Sequence, residues 1–258
     1  MRIRLDPGGL PERRLSEVPL VTPTQMREIQ RVAQEEYGVD ILQMTEVAGS
    51  AAARLALALL GGRARGQRVV VLAGGGNKGA AGLSAARHLV NWGMLVEPVF
   101  GEVESEMSLI ARRQVQILRL SGIVEPATGG RSEMTLEEHL HGADLIIDAL
   151  VGYGLQGPPT GIAAAVTELA VASRRPILAL DMPTGVNALT GEPSTPSIRA
   201  TTTLALDLAK RGLAEPASRG HTGDLYLADL GIPRQVHERM GIGLGSVFSE
   251  GPVVRLRR

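Results

Sequence analysis

The run Arg68-Val-Val-Val-Leu-Ala73 leads without a break into Gly74-Gly-Gly-Asn-Lys-Gly-Ala-Ala-Gly82, and from there into the stretch Leu83 to Trp92. A short, nearly continuous apolar run is the mark of a strand buried on both faces, as in a parallel sheet. Glycines after it permit a tight turn, and the Leu- and Ala-rich stretch beyond reads as a helix. The same rhythm continues outward. Leu95 to Phe100 reads as a strand, Ser105 as a candidate cap for a helix reaching about Leu120, and residues 123–126 as a weak strand. Asp144-Leu-Ile-Ile-Asp-Ala-Leu150 is a strong strand, followed by a glycine loop and a helix near Ile162 to Ser173. Pro176-Ile-Leu-Ala-Leu-Asp181 is the next, and Thr201 to Leu206 and Asp224 to Ala228 close the series. Upstream, Thr22-Pro23 has the form of an N-cap followed by a first-turn proline, opening a helix from Thr24 to Glu36. A second helix runs from about Asp40 to Leu60 and stops at Gly61-Gly62. Strands alternating with helices predict an α/β domain on a parallel, doubly wound sheet. Residues 1–20 read as an N-terminal arm, 21–245 as one domain, and 246–258 as a solvated, Arg-rich tail.

Composition narrows the function. Aromatic residues make up 2% of the 258 residues while hydrophobic residues make up 44%, so the core is built of aliphatic side chains and base-stacking platforms are excluded. The formal net charge of zero removes the electrostatic footprint of a nucleic-acid binder. The absence of cysteine excludes disulfides, thiolate nucleophiles and zinc–sulfur sites. The most apolar stretch, Ala51 to Leu60, is interrupted by Arg54 and too short to span a bilayer, so no membrane association is expected and a cytoplasmic protein is predicted. Among the 27 basic residues only Lys78 and Lys210 are lysines.

Three loops follow three buried strands: Gly74–Gly82, Gly152–Pro158 and Asp181–Gly185. In a parallel sheet the carboxyl ends of the strands share one edge, and ligands bind in the crevice there. Five glycines at the mouth of a helix suit an anion such as phosphate, although a ligand-free tight turn has the same look. The spacing is neither the usual dinucleotide fingerprint nor a P-loop. Asp148 and Asp181 stand at strand ends, where an unpaired buried carboxylate is costly, so each requires a partner or caps its own turn. The histidines form no metal pair, and no nucleophile elbow occurs.

Together these segments resemble the NAD(P)H-hydrate epimerase family, whose domain is also called the YjeF N-terminal fold. The resemblance runs from about Val21 to Pro233. It is carried by Thr22-Pro-Thr-Gln-Met-Arg27, Thr45-Glu-Val-Ala-Gly49, the Gly74–Gly82 run with Ala85-Ala-Arg-His-Leu89, and Asp148-Ala-Leu-Val-Gly-Tyr-Gly-Leu155. It continues in Asp181-Met-Pro-Thr-Gly-Val-Asn-Ala-Leu-Thr-Gly191, Ala209-Lys-Arg-Gly-Leu213 and Gly223-Asp-Leu to Gly231-Ile-Pro233. The resemblance implies a Rossmann-like three-layer αβα sandwich with a mostly parallel central sheet, interconverting the R and S epimers of hydrated NADH and NADPH. Asp181 would be the acid/base residue. Asn77, Lys78, Gly79, Ala80 and Ala81, with Gly152, Tyr153, Gly154, Leu155, Gln156, Gly157 and Pro158, would bind the dinucleotide. Asp148 and Thr184 would hold potassium. The hydrated dinucleotide is the substrate, so no redox cofactor is implied. A homodimer and functional coupling to a separate dehydratase are the implied partnerships.

The chain departs from the family pattern at three positions. Lys78 stands where the family has a second Asn that ligates potassium, Ala81 where the first loop has Asp, and Asn187 where Gly-x-Asp is usual. A protonated lysine cannot ligate a cation. Lys78 is therefore expected to replace potassium and pair with Asp148, the alternative being a side chain turned to solvent or to a ligand phosphate. These departures also leave open a second reading, a catalytically degraded binding or interaction module on the same fold.

Overall fold

The structure is a computed structural model that describes residues 9–124, 135–154 and 157–258. In chain order the strands are β1 (Glu12–Arg14), β2 (Leu20–Val21), β3 (Arg68–Ala73), β4 (Leu95–Phe100), β5 (Leu145–Ala149), β6 (Ile177–Leu180), β7 (Thr202–Leu206), β8 (Ala209–Lys210), β9 (Asp224–Ala228) and β10 (Val253–Arg257). The helices are α1 (Pro23–Glu35), α2 (Ile41–Leu59), α3 (Asn77–Asn91), α4 (Leu109–Leu120), α5 (Leu136–Gly142), α6 (Gly161–Ala172), α7 (Arg211–Ala214), α8 (Arg219–Thr222) and α9 (Arg234–Arg239). Eight strands form one sheet in the order β1-β10-β9-β7-β6-β5-β3-β4, and β2 pairs with β8 separately. Every pairing in the large sheet is parallel except β10 with β9.

Alternation along the strands makes the layers. Val69, Val71 and Ala73 of β3, with Leu145, Ile147 and Ala149 of β5, face a core shared with α1, α2, α3 and α4. Val70, Leu72 and Ile146 point the other way, toward α5 and α6. The expected three-layer α/β sandwich with a mostly parallel sheet is therefore what forms. Helices α1 and α2 start where their caps dictate: Thr22 accepts from the Gln25 N–H, and Asp40 from the Leu42 N–H.

The chain runs from β3 outward to β4, then returns to place β5 on the other side of β3. That reversal opens a crevice at the carboxyl ends of β3 and β5, the topological switch point of a doubly wound sheet.

Some expectations need correction. The helix after β3 begins at Asn77 rather than Leu83, so most of the supposed loop is helical. Its glycines serve close packing: a Cβ on Gly79 would lie 1.8 Å from the Gly74 carbonyl oxygen, and one on Gly82 would lie 2.4 Å from the Ala149 Cβ. Ser108, not Ser105, caps α4 by accepting from the Ala111 N–H. Ile123 and Val124 lie in a turn region rather than a strand, and the rest of the stretch 123–126 lies outside the described residues. Neither terminus is a loose appendage where it is described. Val254 and Leu256 of β10 are buried with Leu225 and Leu227 of β9, while β1 pairs with β10 and Leu15 and Val18 join the same cluster. The apolar side chains of the supposed tail find a face of the sheet to cover, and that burial holds the segment.

A tail of no consequence and an inner strand differ measurably. Leu256→Ala is expected to cost about 2–4 kcal/mol of unfolding free energy by denaturant titration. Arg257→Ala, an exposed change on the same strand, should cost within about 0.5–1 kcal/mol. Equal, negligible effects would contradict the assigned packing of β10.

Candidate functional site

The loops after β3, β5 and β6 meet at the crevice as the sheet topology requires. They wall a cavity of about 620 Å³ together with side chains of α1 and α2. The mouth of α3 opens into it: Gly76 is the N-cap and, among the described residues, no side chain caps the first turn, so its N–H groups and the helix dipole present positive potential to a ligand.

Asp181 sits in the cavity wall just beyond β6. Its backbone is left-handed, with φ of 63°, although it is not glycine. Such a conformation is unusual for a residue with a side chain, and asparagine and aspartate tolerate it best. The turn is secured by the Asp181 N–H donating to the Leu204 carbonyl at 2.7 Å and the Met182 N–H donating to the Leu180 carbonyl at 2.8 Å. The carboxylate then meets two groups. Lys210 Nζ lies 2.5 Å from Oδ1, and the Tyr153 N–H donates to Oδ2 at 3.2 Å. Lys210 is 1% exposed and also donates to the carbonyls of Leu206 and Leu208, at 2.8 and 3.0 Å. Two of the ammonium hydrogen bonds thus go to backbone carbonyls, the contact with Asp181 is an ion pair, and the Tyr153 ring lies 5.4 Å from the nitrogen. Tyr153 itself donates through its hydroxyl to Gln30 at 2.6 Å. Burial, followed by the charge of Asp181, pushes its phenol pKa up, so it stays neutral. Gly152 permits the approach: a Cβ there would come within 3.1 Å of Asp181 Oδ2 and 3.4 Å of Lys78 Cδ.

Beneath the cavity lies a second buried pair. Asp148 is 0% exposed at the end of β5 and saturated with donors. Its Oδ1 accepts from the Leu150 N–H at 3.1 Å and the Thr184 hydroxyl at 2.7 Å. Its Oδ2 accepts from the Thr184 N–H at 2.8 Å and from Lys78 Nζ at 3.2 Å. Lys78 reaches it from the first turn of α3. The ammonium also faces the carbonyls of Met182 at 2.8 Å and Val151 at 3.0 Å, and the Thr184 hydroxyl oxygen at 3.2 Å. Burial, the largest influence, pushes the Lys78 pKa down, and the charge and hydrogen bond of Asp148 oppose it. Asp148, Thr184 and Lys78 come together as expected, and the side chain does not turn to solvent. Asp148 and Thr184, the residues assigned to potassium by resemblance, thus already have a cation among their oxygens. A free ion and the Lys78 ammonium cannot share that space, so the residues present do not fit potassium as they stand.

Of the expected dinucleotide contacts, Asn77, Lys78, Ala81, Gly152, Tyr153, Gly154 and Pro158 line the cavity. Gly79 and Ala80 do not: both are buried against the sheet by the early start of α3. Gly157 is exposed and also lies outside the lining. Leu155 and Gln156 lie outside the described residues. Asn187 is remote from the cavity and serves its own turn, accepting from the N–H groups of Leu189 and Thr190 at 2.8 and 3.0 Å. Asn187 is not among the residues that line the cavity. Sequence reasoning missed Lys210 as the partner of Asp181; the one signal was its rarity, because both lysines of the chain lie in this site. It also missed Glu102, whose side chain packs against Gly75 in the cavity wall.

Comparison with known proteins places the chain in a family. The family described as YjeF-related protein N-terminus matches residues 41–212. The NAD(P)H-hydrate epimerase of Dehalogenimonas lykanthroporepellens is 40% identical over 239 residues, covering 92% of both chains. A bifunctional NAD(P)H-hydrate repair enzyme of Moorella thermoacetica is 32% identical over 84% of this chain, which spans 41% of that longer protein. Among solved structures, a yeast protein superposes with a TM-score of 0.79 at 24% identity, over 93% of this chain and 100% of its own, a likeness of fold. The chain belongs to the NAD(P)H-hydrate epimerase family and carries its YjeF-related N-terminal domain.

Proposed function

We propose that this chain epimerises hydrated NADH and NADPH, interconverting the R and S configurations at the hydrated nicotinamide carbon, with Asp181 as the acid/base residue. The observation that carries the reading is the buried Asp181–Lys210 pair set in the wall of a cavity fed by the open N-terminus of α3. The hydrated carbon bears a hydroxyl and adjoins the ring nitrogen. One proton delivered to that hydroxyl lets it depart as water while the nitrogen lone pair forms a planar C=N⁺ centre. Water then adds to the opposite face and gives one proton back. The Asp181–Lys210 pair supplies the first proton and recovers the second, so the enzyme ends as it began. No electrons are transferred, and the chemistry calls for no redox cofactor.

The rest of the cavity suits such a substrate. The α3 N-terminus and Arg27 offer positive charge to the pyrophosphate, and Gly152 lets the ring approach Asp181. The Moorella relative, named as a bifunctional repair enzyme, supports the further proposal that the S epimer passes to a dehydratase. A homodimer is likewise proposed, with the exposed Leu109 and Leu120 on α4 as apolar side chains it would cover. The cytoplasmic location rests on the sequence alone. The retained carboxylates Asp181 and Asp148, each paired with a buried lysine, support an enzyme over a degraded binding module.

The test is a coupled assay, purified protein with R-epimer and an S-specific dehydratase. Asp181→Asn, nearly isosteric, should lower kcat by roughly 10²–10⁴-fold with the circular dichroism spectrum kept. Wild-type turnover in that variant would remove Asp181 from the chemistry. Lys210→Met tests the partner separately. A fall in kcat of about 10²-fold with KM little changed is expected, because the lysine acts on the proton rather than on the dinucleotide. An effect confined to KM would make Lys210 a binding residue instead.

A further inference from the structure

We propose that Lys78 is a tethered monovalent cation, so that this protein is independent of potassium, and that the same oxygen set becomes a potassium site once the lysine is removed. The argument begins with the number of acceptors. An ammonium has three N–H bonds, yet Lys78 Nζ lies within 3.2 Å of four oxygens: one carboxylate, one hydroxyl and two backbone carbonyls. A lysine that needed only one carboxylate would not gather two carbonyls from different loops. Val151 belongs to the β5 loop and Met182 to the β6 loop, so both carbonyls are oriented by backbone turns rather than by the lysine. Hard oxygen donors converging on one buried point are what a small cation asks for.

Residue choice points the same way. Only two of the chain's 27 basic residues are lysines, and Lys78 is one of them. Arginine carries a wide planar fork, whereas lysine ends in a compact, nearly spherical charge that enters a site shaped for an ion. The Lys78 charge also neutralises the wholly buried Asp148 and fixes the loop that begins at Val151, next to Gly152 and Tyr153 at Asp181. The consequence for turnover rests on the epimerase reading, whereas the consequence for stability does not.

The experiment compares wild type with Lys78→Asn and Lys78→Ala in potassium chloride and in tetramethylammonium chloride of equal ionic strength. Wild-type Tm and turnover should be the same in the two salts. Both variants should be destabilised in the bulky salt, and potassium well above its Kd should raise their Tm by roughly 5–10 °C. Adding Asp148→Asn to Lys78→Ala should abolish that rise. Lys78→Met, which fills the space without charge, should show none. A wild-type Tm that climbs with potassium would overturn the proposal, as would variants blind to the identity of the cation. The Tm arm decides even where turnover is absent, so failure of the epimerase reading and failure of this inference are told apart.

Discussion

A carboxylate buried at the end of a parallel strand is the constraint around which this protein is organised. Asp148 is surrounded by β3, β5 and β6 and has no access to water, so its charge must be answered inside the protein. Two Leu150 and Thr184 backbone N–H groups, the Thr184 hydroxyl and the Lys78 ammonium supply the answer. They come from the turn after β5, the turn after β6 and the start of α3. Satisfying Asp148 therefore draws three separate segments to one point and leaves them rigid. Loss of one partner would leave the others holding an uncompensated charge, which is why such clusters tolerate little change.

The second pair depends on the first. The loop from Val151 through Tyr153 is anchored below by Thr184, and the Tyr153 N–H then reaches Asp181 from above. Lys210 arrives from β8, held by the carbonyls on either side of Asp207. Asp207 itself has φ of 62° and is held by the buried His237, so the turn that aims Lys210 is braced from behind by α9. Two lysines and two aspartates thus form a neutral set, one pair below the cavity and one exposed to whatever enters it. The lower pair gives position and the upper pair gives chemistry.

Much of this was legible in the sequence, for definite physical reasons. Strands β3, β5 and β6 are buried on both faces and announce themselves as unbroken apolar runs. The edge on which their loops meet follows from topology alone. The start of α3 was hidden because glycine has low helix propensity, and here Gly79 and Gly82 are chosen for close packing against β3 and β5 rather than for a turn. β10 was hidden by its arginines, although the order Val254, Arg255, Leu256, Arg257 does alternate inward and outward as a strand with one covered face should. The contact between Lys78 and Asp148 could be anticipated because one replaced a residue expected beside the other. The contact between Lys210 and Asp181 could not, since only the pairing of β6 with β7 and the turn beyond it bring them together.

The most direct measurement is a proton NMR time course on pure R-epimer of hydrated NADH, with this protein alone, in potassium-free buffer. The account predicts that S-epimer resonances grow to the equilibrium ratio far faster than in the enzyme-free control. Conversion that begins only when potassium is added would contradict the role given to Lys78. Persistence of the R epimer at the uncatalysed rate, with or without potassium, would contradict the assignment of Asp181 and Lys210 as an epimerising pair.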